Sequence, residues 1–142
     1  MIYFHSEDSN FTLKSELDTS TWLHSVITSE GQNLEEVNYI FCSDDYLLKI
    51  NQDYLDHDYY TDIITFPYSY QPIKSDLYIS IDRITENAST EKVSFAQELH
   101  RVIVHGLLHM CGYDDKDEEA KKIMRQKEDQ YLALIDLSLI HI

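Results

Sequence analysis

The stretch His105-Gly106-Leu107-Leu108-His109-Met110-Cys111-Gly112-Tyr113-Asp114-Asp115 places two imidazoles four residues apart, then a glycine, then a carboxylate. On a helix, positions i and i+4 share a face, so His105 and His109 can converge on one point. Gly112 can adopt a left-handed conformation, end the helix and turn the chain back. That return could bring Asp115 to the same point. Two imidazole nitrogens and a carboxylate oxygen suit one zinc ion, with a fourth position left open for water. An open zinc position supports hydrolysis, because the metal acidifies bound water and polarises an acyl or phosphoryl oxygen.

Each of these residues has a plainer role to compete with. A histidine inside an apolar helix is commonly a hydrogen-bonded core residue; a second one at helical spacing asks for a shared reason. Gly106 costs about 1 kcal/mol relative to alanine in a helix interior, which points to a close approach by a strand or a substrate. Asp115-Lys116-Asp117-Glu118 has the form of a capping box, so Asp115 could cap a final helix in place of binding metal. Asp114 is its nearest competitor as ligand. Cys111 is a soft donor, but it points away from His109 on a continuous helix and reads as a buried thiol.

The elements that must position these groups follow from periodicity. Met1–Ser6, Glu36–Cys42, Ile63–Phe66 and Asp76–Ile81 read as strands, the third closed by Pro67. Tyr68–Ser75 reads as a connection. Leu13–Thr28 reads as a helix with Leu13, Leu17, Trp22, Leu23, Val26 and Ile27 inward. A second helix starts at the cap Ser43-Asp44-Asp45 and runs to about Leu55, burying Tyr46, Leu47, Ile50 and Tyr54. A short helix covers about Asp82–Ala88. Phe95–Cys111 is apolar nearly all round, the mark of a central buried helix. Asp115 to about Ile135 forms a charged final helix that packs through Ile123, Met124, Tyr131, Leu132 and Ile135. The sum is an α+β fold: one domain over residues 1–142, a small mixed four-stranded sheet and about five helices, the central one carrying the metal motif.

Composition sets the class. The 142 residues suit one domain with a real core, and 3 Gly with 2 Pro argue against flexible linkers. The sequence shows neither a membrane-length apolar run nor a signal-peptide pattern, so a cytoplasmic protein is expected; Cys42 and Cys111 fit a reducing compartment. The net charge of −15 disfavours general electrostatic attraction to nucleic acid. The one modest basic cluster is Lys121, Lys122, Arg125 and Lys127.

The histidine spacing is also that of the metzincin proteases. Those carry a glutamate as general base directly after the first histidine, where this chain has Gly106, and a third histidine where it has Asp115. A peptidase reading weakens accordingly. The run more closely resembles the signature of the YbeY family, His-Gly-x-Leu-His-Leu-x-Gly-Tyr-Asp-His. Leu48-Lys49-Ile50-Asn51, Thr61-Asp62-Ile63-Ile64-Thr65-Phe66-Pro67 and Ser75-Asp76-Leu77-Tyr78-Ile79-Ser80 resemble further family segments, as does Glu98–Val104 before the first ligand. The similarity runs from about Glu36 onward.

The resemblance implies zinc held by His105, His109 and Asp115, the last in place of a family histidine. It implies a metal-dependent endoribonuclease acting on single-stranded RNA in ribosomal RNA maturation and ribosome quality control. Its partners would be ribosomal RNA and ribosome-associated proteins, with neither membrane nor DNA involved. The family's arginine before the Thr-Asp pair falls on Leu55, which cannot bind phosphate. His57, two residues on, is a partial substitute or a solvated loop residue. The general base is unassigned, with His57 and Asp114 as candidates. An alternative reading is a ribosome-associated binding module whose zinc is mainly structural; Leu55 and the acidic charge favour it.

Overall fold

A computed structural model describes residues 1–137; the short apolar C-terminus beyond lies outside the described residues. Four strands, β1 (Ile2–Ser6), β2 (Leu34–Cys42), β3 (Ile63–Tyr70) and β4 (Ile73–Ser80), form one sheet in the order β1-β2-β4-β3. β1, β2 and β4 run parallel, and β3 pairs antiparallel to β4 at the edge. The helices are α1 (Glu16–Ser29), α2 (Asp44–Leu55), α3 (Ile81–Glu91), α4 (Phe95–Met110) and α5 (Glu118–Leu132). This is the expected single α+β domain with a mixed four-stranded sheet and five helices among the described residues.

The alternation of β2 and β4 builds the core. Val37, Tyr39 and Phe41 of β2, with Ile73, Leu77 and Ile79 of β4, face one side of the sheet and pack with α1, α3, α4 and α5. On the opposite face, Cys42, Leu47 and Ile64 make a smaller cluster beneath α2. α4 lies at the centre, with Leu99, Val102, Ile103, Val104, Leu107, Leu108 and Met110 all buried. Tyr39, buried in the sheet, donates its hydroxyl to the Ile103 carbonyl at 2.9 Å and so ties the sheet to α4. Gly106 makes the closest approach. A Cβ there would collide with Leu77 Cδ2 and lie 2.7 Å from Ile63 Cδ1. The helix glycine is therefore explained by the sheet packed against it.

Several boundaries differ from expectation, each for a local reason. β3 continues through Pro67 to Tyr70, and β4 begins at Ile73, so Tyr68–Ser75 is two strand ends joined at Gln71-Pro72, whose peptide is cis. Pro67 is tolerated because β3 is an edge strand, and the register shifts beside it. Ile81 opens α3 and does not end β4. Leu17 is 79% exposed, because α1 buries Thr19, Trp22, Leu23, Val26 and Ile27, a register that skips position 17. Tyr54 is 72% exposed at the far end of α2, where Leu47 and Asn51 form the buried pair. α5 buries Met124, Glu128 and Tyr131, leaving Ile123 one position off that face and exposed. Its cap is Asp117, which accepts from Ala120 N at 2.7 Å, and not Asp115.

Candidate metal centre and active-site cavity

Glu98, Arg101, His105 and His109 of α4 form one polar stripe, at spacings of three, four and four. The helix ends in a left-handed turn. Gly112 has φ +105°, Tyr113 N donates to Leu108 O at 3.1 Å and Gly112 N to His109 O at 3.1 Å. These are the paired bonds of a Schellman cap, and they reverse the chain. Tyr113 is anchored beyond the turn by its hydroxyl, which donates to Glu30 Oε1 at 2.7 Å. Burial alone would raise the Glu30 carboxyl, but hydrogen bonds from Tyr131 and Tyr113, together with Lys127, hold it below the usual range.

The reversal brings Asp115 back over the two histidines. His105 Nε2 and His109 Nε2 lie 3.0 Å apart. Asp115 Oδ2 is 3.4 Å from the first and 3.7 Å from the second. The three residues cluster as a group able to hold a metal ion. Both Nε2 atoms present lone pairs to this point, because both Nδ1 atoms are committed as donors. His109 Nδ1–H donates to the Tyr113 carbonyl at 2.9 Å, and His105 Nδ1–H donates to Glu128 Oε2 at 2.6 Å. With both rings neutral, these two lone pairs and the carboxylate oxygen suit a cation; with a proton on either Nε2, the 3.0 Å contact is a hydrogen bond. Tetrahedral zinc with donors at about 2.0–2.1 Å sets them about 3.3–3.4 Å apart, close to the spacing observed. The donor set fits zinc.

Glu128 was not visible as a site residue from the motif alone. Its side chain is only 6% exposed, and Arg101 Nη1 donates to its second oxygen at 2.9 Å. Arg101 also reaches Asp129 Oδ1 at 2.8 Å. Burial would depress His105, but the Glu128 hydrogen bond and charge, with Asp115 and Asp62, raise it. The sequence signal lay in α5, where a glutamate occupies the buried register between Met124 and Tyr131.

A cavity of about 360 Å³ opens over the histidines and Asp115. Its walls come from Asn51 and Leu55 of α2, the loop through His57 and Tyr59, and residues 61–65 at the start of β3. Asn51 is buried and shapes the loop by donating to the Tyr59 carbonyl at 2.9 Å. His57 lies on the exposed rim, stacked on Tyr59 at 5.2 Å between ring centres. Leu55 lines the cavity as well, as do Thr61 and Thr65. Asp114 instead lines an adjoining cavity, and its Oδ1 accepts from Lys116 N at 3.2 Å. Asp62 is a second carboxyl in the cavity lining, outside the histidine motif. Burial raises it, outweighing the lowering by His105 and by backbone amides, and Glu128 adds to the rise. Cys111 stays outside the donor cluster, and burial, with Glu30 nearby, pushes its thiol up to about 12.

A family model described as "Endoribonuclease YbeY" matches residues 2–136. The chain belongs to the YbeY family. Proteins named Endoribonuclease YbeY from Cytophaga hutchinsonii and Flavobacterium psychrophilum are 49% and 50% identical to it, each over 135 residues. Those alignments cover 94% of this chain, and 94% and 96% of the respective YbeY relatives. The solution structure of TM1509 from Thermotoga maritima superposes with a TM-score of 0.69 at 29% identity, covering 93% of this chain and 87% of that one. The YbeY assignment thus rests on nearly the whole fold as well as on the histidine motif. Among the described residues no helix is long and apolar enough to cross a membrane.

Proposed function

We propose that the protein is a zinc-dependent endoribonuclease of single-stranded RNA that acts in ribosomal RNA maturation and ribosome quality control in the cytoplasm. The observation that carries the reading is the convergence of His105 Nε2, His109 Nε2 and Asp115 Oδ2 at the floor of an open cavity. Family membership supplies the substrate class, since the relatives are named endoribonucleases.

His105, His109 and Asp115 would hold the zinc, which when bound supplies Lewis acidity toward a phosphoryl oxygen and makes bound water more acidic. The remaining work falls to the chain's own residues. Glu128 fixes the His105 tautomer so that Nε2 faces the cavity, and the Tyr113 carbonyl does the same for His109. Asp62 lines the cavity, and burial raises its carboxyl, which makes it the carboxyl in this wall suited to exchange a proton during phosphodiester cleavage. His57 can reach the mouth of the cavity from its rim, whereas Asp114 opens on the neighbouring hollow. A peptidase would need a base at position 106, and Gly106 is packed on the sheet.

The deciding experiment measures metal content and cleavage of a ribosomal RNA fragment for the wild type, His109→Ala and Asp115→Ala. The reading requires about one zinc per wild-type chain, cleavage by the zinc-loaded protein, and loss of both in His109→Ala with the fold retained. Unchanged metal content in both variants overturns it. Leu55 and the acidic surface favour one other reading, a ribosome-associated module with structural zinc. That reading requires no cleavage, and unfolding of His109→Ala.

A further inference from the structure

The metal site is open on two sides. Among the described residues, the cavity described above has no lysine or arginine in its lining. The second opening, which shares His105 and Asp115 with the first, is lined by Lys121, Lys122 and Arg125 of α5, with Glu118 and Glu128. Lys121, Arg125 and Glu128 follow one side of α5 at i, i+4 and i+7, so the two cations lead along the helix to the carboxylate that holds His105. Lys127, the fourth member of the basic cluster in the sequence, lies elsewhere and pairs with Glu30 at 3.4 Å.

The three cations are weakly committed. Lys121 is 59% exposed and lies 3.7 Å from the fully solvated Glu118. Arg125 is 58% exposed and only within 3.9 Å of Glu128, whose oxygens already serve Arg101 and His105. Lys122 has no ion-pair partner among the described residues. Exposed pairs of this kind contribute about 0–1 kcal/mol and yield readily to a better anion.

We infer that Lys121, Lys122 and Arg125 of α5 form the phosphate-binding track of the active site, holding the RNA backbone on the α5 side of the metal. The inference rests on the endoribonuclease reading and supplies what Leu55 cannot. In a chain of net charge −15, a polyanion can approach only where cations are gathered, and these three are gathered at the metal. The bases then lie toward the cavity bounded by Tyr59 and Leu55, whose described lining holds no lysine or arginine.

The test is equilibrium binding of a fluorescein-labelled ten-nucleotide single-stranded RNA to the metal-free full-length protein across a salt series, together with cleavage by the zinc-loaded protein. The variant is Lys121→Gln/Lys122→Gln/Arg125→Gln. The control is Lys14→Gln/Lys49→Gln/Lys92→Gln, which removes the same charge away from the cavity. Each neutralised phosphate on a single strand contributes roughly 0.7 to the slope of log K against log salt, so the α5 variant should lose about 2 from that slope. Its affinity near 0.1 M salt should fall at least tenfold, with zinc content unchanged. The control should keep the wild-type slope. If wild type binds and cleaves but the α5 variant matches it in slope and affinity, the track is refuted and the endoribonuclease reading stands. If both triple variants lose affinity equally, the cations act only through net charge, and the track is again refuted. If zinc-loaded wild type neither binds nor cleaves, both readings fall.

Discussion

Replacing Gly106 by alanine adds one methyl group where α4 meets the sheet. That methyl would lie 2.7 Å from Ile63 Cδ1 and closer still to Leu77 Cδ2. Ordinary carbon contacts are about 3.5–4.0 Å, so Ile63 must retreat by about 1 Å and Leu77 by more. Leu77 is fully buried in β4, with little room to move. Overpacking of this kind costs about 1–3 kcal/mol, and exchanging glycine for alanine in a helix returns about 1 kcal/mol. Gly106→Ala should therefore destabilise the protein by roughly 0–2 kcal/mol, centred near 1, or about 2–4 °C in Tm. Urea denaturation would measure it. Leu77→Ala alone should cost about 2–5 kcal/mol through the cavity it leaves. In the double variant the new methyl enters that space, so the combined cost should fall short of the sum by 1 kcal/mol or more. A Gly106→Ala protein more stable than wild type, with costs that add to within about 0.5 kcal/mol, would refute the claim that the glycine is there for the sheet.

Three further outcomes follow from the described contacts. Glu128→Gln keeps the shape of the side chain but removes the charge facing His105 and Arg101; zinc affinity, read by chelator competition, should weaken about 10–100-fold. His100 is buried and kept neutral: desolvation lowers its pKa, its Nδ1–H donates to the Ala96 carbonyl, and Thr19 meets its Nε2. The unfolded chain therefore binds this proton more readily. Stability from this site is complete above the unfolded pKa of about 6.5 and is lost as pH falls below it, by up to about 1.4 kcal/mol per pH unit. His100→Gln should lack that part of the decline in urea midpoints measured from pH 7 to 5. Burial pushes both Cys42 and Cys111 up to about 12, so a thiol reagent at pH 8 should label the native protein slowly and the urea-unfolded protein fully.

The histidine pair was legible because helical spacing is a local property, and so was the turn, because Gly112 is required where φ is positive. Asp115 was ambiguous in the sequence: ligand and cap call for the same residue type. The structure separates the two roles by two residues, giving the cap to Asp117 and the carboxylate over the histidines to Asp115. Glu128 and Asp62 escaped the motif because they reach the site from α5 and from the start of β3, a juxtaposition that only tertiary packing creates. The register errors at Leu17, Tyr54 and Ile123 share one cause. An apolar residue one position off the buried stripe, or past the end of the sheet, looks the same in sequence as one that is covered. Pro67 reads as a stop because a proline usually ends a central strand, and the sequence does not say which strand lies at the edge.

That edge has a consequence for the molecule in a crowded cell. A bare outer strand bearing Tyr68 and Tyr70 would invite a neighbouring chain to add a rung and begin a fibre. Pro67 withholds one amide and the adjacent slip in register disturbs the next, so the ladder cannot be extended in step. The same irregularity that hid the strand in the sequence works against edge-to-edge pairing on that side of the sheet.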